Sequence, residues 1–151
     1  MSGGGQGRSG VALGLDAGTV RVGLAATDPT GTIATPIATL ARRDSTALWN
    51  RVRSEAGSRG ATRIVIGLPR ELSGAEGPAA LAARAFAAEA QSQTGLPVDM
   101  WDERLTTSAA ERALISAGVR RRPRRELVDA VAAALMLQSW LDARRAVRST
   151  R

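Results

Sequence analysis

Apolar and polar positions follow short strand-like runs over the first third of the chain and then switch to helical spacing. Residues 11–16 (VALGLD) form an apolar run closed by an acid, and residues 20–27 (VRVGLAAT) alternate as its hairpin partner across a turn at 17–19. DPTG at 28–31 is a turn and 32–40 a third strand, so the start reads as three antiparallel strands. Asp44 or Ser45 caps a helix over 46–59, where Leu48, Val52 and Ala56 recur at helical spacing. RIVIG at 63–67 is a β-branched run of the kind buried on both faces of a parallel sheet. Residues 68–77 (LPRELSGAEG) are a loop, and Pro78 opens an alanine-rich helix that runs to Gln93 and stops at Gly95. Residues 97–103 (PVDMWDE) predict a fifth strand, 108–117 a helix ended by Gly118, and 126–145 a long last helix.

The order βββαβαβαα predicts an α/β fold, a three-layer sandwich with one mixed five-stranded sheet and helices on both faces, because the later strands are joined through helices. A chain of 151 residues suits one domain. The expected division is a Gly- and Ser-rich flexible tail over 1–10, a single domain over 11–145 and a basic tail over 146–151. The first tail has no apolar stretch of the signal-peptide kind, and no apolar run reaches the roughly 18 residues a membrane span needs. A cytoplasmic protein with no membrane partner is expected.

Composition narrows the chemistry. Cysteine and histidine are both absent, which removes disulfides, thiolate zinc sites, cysteine nucleophiles and imidazole bases. Any metal must be held by oxygen, which suits Mg2+ or Mn2+. All 21 basic residues are arginine, a choice that a GC-rich genome accounts for. The net charge of +7 is not explained that way and favours a polyanionic partner, nucleic acid above all.

Acids close two of the strands: Asp16 ends the first, and Asp102 with Glu103 ends the fifth. Sites in open α/β sheets gather at the carboxyl ends of strands, so these acids meet if their strands are neighbours. A third acid, Asp129, opens a helix that is apolar nearly all round, where an ionised carboxylate is costly unless a cation or strong donors satisfy it. Each has a plainer reading: Asp129 as a first-turn acid favoured by the helix dipole, Asp16 as a turn residue beside Gly18, Asp102 and Glu103 as solvated strand ends. Together they fit phosphodiester hydrolysis with two metal ions, which needs several carboxylates and neither histidine nor thiol.

These residues lie in stretches that resemble the YqgF family, also called RuvX, of ribonuclease H-like nucleases. The stretches are GLDAGTVRVGLAATDPTG (14–31), VIGLPRELSGAEG (65–77), WDERLTT (101–107) and VDAVAAALMLQSWLD (128–142), in family order. The resemblance implies a ribonuclease H-like fold and a metal-dependent nuclease, with names in the family pointing to processing of the 16S ribosomal RNA precursor and to Holliday junction resolution. It makes Asp16, Glu103 and Asp129 the catalytic, metal-holding acids and selects Glu103 over Asp102, leaving Asp102 as a supporting carboxylate. The family often carries lysine-rich residues before the last acid and a lysine after it; here Arg120 to Arg125 and Ala130 stand in those places.

Arg21 in the first hairpin and Arg104 beside Glu103 are candidates for holding a phosphate through bidentate contacts, with a cross-strand surface charge as the alternative for Arg21. Arg120, Arg121, Arg122, Arg124 and Arg125 put five arginines in six positions, a segment suited to the nucleic-acid backbone with steep salt dependence. The glycine-bearing 68–77 loop could admit a strand close to backbone amides or simply connect. Thr106 and Thr107 are expected to cap the following helix, and Trp49, Trp101 and Trp140 to lie in the core or an interface. RNA is favoured as substrate. A four-way DNA junction is the alternative and would demand a homodimer, whereas RNA processing is open to a monomer. A non-catalytic RNA-binding assembly factor is a further reading, which retention of all three acids argues against. LGLDAGT also resembles the phosphate loop of the actin and sugar-kinase superfamily, which uses two such domains, more than this chain supplies.

Overall fold

The computed structural model describes residues 10–69, 75–118 and 127–149. Five strands, β1 (Val11–Ala17), β2 (Arg21–Thr27), β3 (Ala34–Ala41), β4 (Ala61–Leu68) and β5 (Val98–Asp102), form one sheet in the order β3-β2-β1-β4-β5. β1, β2 and β3 make the expected antiparallel meander, and β4 and β5 add in parallel to β1. Helices α1 (Ser45–Arg59) and α2 (Pro78–Thr94) cover one face, and α3 (Ser108–Ser116) and α4 (Val128–Ser149) the other.

The strand sequences assign different work to the two faces. Leu13, Leu15, Val22, Leu24, Ile64 and Ile66 point to one side and pack on Leu48, Trp49, Val52 and Phe86 of α1 and α2. Burying each such side chain contributes about 1.5–3 kcal/mol, against about 0–1 kcal/mol for an exposed ion pair, so this layer rather than the arginines holds the fold. The alternate positions of β1 and β2 are small, with Ala12 and Ala25 packed beneath α4. A Cβ on Gly14 would lie 3.0 Å from Leu137 Cβ, and one on Gly23 would lie 1.9 Å from the Asp129 carbonyl oxygen. Missing side chains therefore let α4 lie directly on the sheet and set its first turn against β2.

Local signals act as expected at several ends. Asp44, not Ser45, caps α1, its carboxylate accepting from Ala47 N at 3.0 Å. Thr107 caps α3, and Gly95 ends α2 with φ 71°. Three expectations need correction. β5 ends at Asp102, and Glu103 opens a short 3-10 turn, because the Asp102 carboxylate accepts from Arg104 N at 2.9 Å and turns the chain. α4 runs on through residues 146–149, expected as tail, because no breaker interrupts the helical pattern after Arg145. Nor is α4 buried all round: Val128 is 51% exposed and Ala132 is exposed, so one side of its first turns faces outward. Among the described residues no helix is long and apolar enough to cross a membrane.

Candidate active site

The sheet brings the strand-end acids together. β1, β4 and β5 run parallel and adjacent, so Asp16 near the end of β1 and Glu103 just past β5 lie at the same carboxyl edge, separated by the end of β4. β4 leaves the gap open with Gly67, where a Cβ would come within 2.5 Å of Glu103 Oε1 and 3.1 Å of its Cγ. Through that gap Glu103 reaches Asp16, and the two carboxyls share a hydrogen bond.

Two carboxylates held this close resist ionising together. Burial, then the Asp16 charge and its hydrogen bond, then Asp102, push Glu103 up to about 7. Asp16 is also raised, by burial first and by the Asp129 charge, against the lowering effect of the Glu103 hydrogen bond. The pair as a whole thus holds on to a proton more strongly than two free carboxyls would. A cavity of about 250 Å³ opens at this point, lined by Asp16, Glu103 and Thr106 and by Ala132, Leu135 and Met136 of α4.

Asp129 stands at the edge of this group. It lies in the first turn of α4 and is close enough to raise Asp16, but its carboxylate accepts from Arg21 Nε at 3.0 Å. The Arg21 and Asp129 side chains are 62% and 34% exposed, so their pair is a surface pair contributing at most about 1 kcal/mol and opens readily. Among the described residues no three acids gather tightly enough to hold a metal ion. The Asp16–Glu103 pair nonetheless fits one chemically: hard oxygen donors, partly desolvated, mutually repelling and seated in a cradle that a Cβ on Gly67 would fill. Asp129 is the third donor within electrostatic reach.

Arg104 turns back onto Asp102, with Nη2 2.7 Å from Oδ2, so Asp102 anchors this arginine and the turn that carries Glu103. Arg120, Arg121, Arg122, Arg124 and Arg125 lie outside the described residues, as do 70–74 of the 68–77 loop. Trp49 and Trp140 are buried, their indole N–H groups donating to Glu89 at 2.7 Å and Asp99 at 3.3 Å, and Trp101 is half-buried. None of the three is an open stacking platform. A larger hollow of about 660 Å³ runs along β5 beside the end of α4, but its one acid, Asp99, is held by Arg63 at 2.7 Å and by Trp140, so no reactive group converges there.

Sequence reasoning missed Gly67 and the wall that α4 gives the cavity. A glycine closing a β-branched run was the available signal, since glycine in a strand marks close approach of another group. Nothing local announces that Ala132, Leu135 and Met136 face Asp16, which depends on how α4 crosses the sheet.

Comparison with known proteins identifies the family and the fold. The family model RuvX, described as Holliday junction resolvase, matches residues 10–143. Proteins named "Putative pre-16S rRNA nuclease" from Cereibacter sphaeroides and Moorella thermoacetica are 48% and 45% identical, over 89% and 86% of this chain and 84% and 93% of their own. In fold the chain is similar to Thermus thermophilus RuvC, with TM-score 0.57, 16% identity and coverage of 90% of this chain and 96% of that one. The same protein in complex with a Holliday junction substrate gives TM-score 0.55 at 18% identity, over the same shares of the two chains. The expected ribonuclease H-like sandwich is the fold found, and the chain belongs to the RuvX family of nucleases.

Proposed function

We propose that this chain is a metal-dependent endonuclease that hydrolyses phosphodiester bonds in 5′-end processing of the 16S ribosomal RNA precursor, in the cytoplasm. The observation that carries the reading is the hydrogen-bonded Asp16–Glu103 pair at the carboxyl edge of the sheet, with Asp129 alongside. Relatives with 44–49% identity along most of the chain bear the precursor-nuclease name, which favours RNA as substrate.

Asp16, Glu103 and Asp129 would hold Mg2+ or Mn2+, which supplies a polarised attacking water and stabilises the leaving oxygen. The chain's own residues do the rest. To hold the cation as ligands at neutral pH, Asp16 and Glu103 would release their shared proton to solvent. Asp129 would be available to a cation by opening its weak surface pair with Arg21, whose guanidinium would then be free for a phosphate oxygen. Asp102 holds Arg104 and the turn beneath Glu103. Water attacks phosphorus, the bridging P–O bond breaks, and the proton that the attacking water loses is balanced by the one the departing oxygen takes up. Arg104, Arg120, Arg121, Arg122, Arg124 and Arg125 hold the backbone of the flanking strand. RNA processing is open to a monomer as well as to a homodimer.

The family description favours a second reading, resolution of four-way DNA junctions by a homodimer. Cleavage of single-stranded precursor RNA, duplex and four-way junction with Mg2+ or Mn2+, wild type beside Asp16→Asn, tests both. Metal-dependent cutting of RNA that is lost in the variant is expected. Preference for the junction would select the resolvase, and binding without cutting on every substrate would leave an RNA-binding assembly factor.

A further inference from the structure

Beside the acids, on the β2–β3 side, a depression of about 680 Å³ is lined by Thr19, Val20, Arg21, Ala41, Arg42 and Arg43. Three arginines line it because β2 and β3 pair Arg21 with Ala41, which brings the two residues after Ala41 beside the hairpin loop. Arg42 is fixed in place: its N–H donates to Val20 O at 2.9 Å, its Nη1 donates to Gly18 O at 2.6 Å, and its guanidinium lies 5.0 Å from the Phe86 ring centre. Arg43 is exposed and has no acid partner among the described residues. Of the acids nearby, Asp44 caps α1 and Asp129 pairs with Arg21 Nε, which leaves Arg42 and Arg43 without an acid partner among the described residues. Val20, 65% exposed, sits on the loop between the arginines.

We propose that Arg21, Arg42 and Arg43 form a phosphate-binding subsite that grips the nucleic-acid backbone to one side of the acids. Arg21 bridges the two regions: its Nε faces Asp129, while its side chain is largely exposed and lines the depression. A strand lying across the hairpin loop would pass from Arg43 and Arg42 to Arg21 and then to the acids. The subsite reads phosphates and carries no base specificity. It rests on the nuclease reading above and adds a direction to it, placing part of the bound strand on the β1–β2 loop side.

The test is binding of a short labelled RNA in EDTA, by fluorescence anisotropy over a range of salt, for wild type, Arg43→Gln and Arg43→Glu. Arg43→Gln should bind roughly tenfold more weakly at low salt and lower the slope of log K against log salt by about one, with Arg43→Glu weaker still. All three should share one melting temperature, since Arg43 supports no other part of the fold. An unchanged affinity and slope in both variants, with wild type binding and cutting RNA, overturns the subsite and leaves the nuclease standing. Failure of wild type to bind or cut any nucleic acid overturns both.

Discussion

Glu103 is the residue on which chemistry and stability meet. Its ordinary value is 4.5 and in the fold it is about 7, so between those pH values the folded chain keeps a proton that the unfolded chain has lost. The linkage therefore runs opposite to that of a salt-bridged acid: Glu103 favours the fold most below its unfolded value, and that contribution is lost as pH rises through about 7. Denaturant unfolding across this window should show wild-type stability falling with pH, and Glu103→Gln should flatten the profile. A divalent cation must displace the same proton, so Mn2+ affinity measured by calorimetry should climb through about pH 7 in wild type, with proton release. A Glu103→Gln variant with an unchanged pH profile would mean that Glu103 does not hold the shared proton.

At the scale of elements, two glycines carry different loads. Gly23 lies under the backbone of α4, where a Cβ would meet the Asp129 carbonyl oxygen at 1.9 Å with no flexible side chain to yield. Gly23→Ala should destabilise the fold by about 3 kcal/mol or more, seen as a lowered melting temperature, because the helix must lift from the sheet. Gly67 faces the far end of the flexible Glu103 side chain, which can swing aside. Gly67→Ala should keep the melting temperature within a few degrees and still lose most metal-dependent cleavage. These glycines also mark where the sequence stops being legible. Strand runs, the Asp44 and Thr107 caps and the Gly95 stop are local signals and are readable as such. The placement of Glu103 in a turn after Asp102, and the open side of α4, depend on packing across the sheet that no window of sequence contains.

For the whole molecule, an excess of seven positive charges surrounds a site built from acids. Long-range attraction brings a polyanion to the surface, while the carboxylates keep its phosphates away until a cation intervenes. Replacing Arg120, Arg121, Arg122, Arg124 and Arg125 with glutamine should weaken RNA binding on every sequence alike and flatten its salt dependence, by about one in slope for each phosphate no longer neutralised. The three acids come from the first strand, the turn after the last strand and the final helix, so the site exists only when the whole sheet has formed. Asp129 tests this arrangement most directly, because it alone of the three is held away from the others by an arginine. The decisive measurement is Mg2+- or Mn2+-dependent RNA cleavage by Asp129→Asn, with its melting temperature taken alongside. A folded protein with nearly all cleavage lost is expected, and full cleavage by a folded Asp129→Asn variant would contradict the three-carboxylate site.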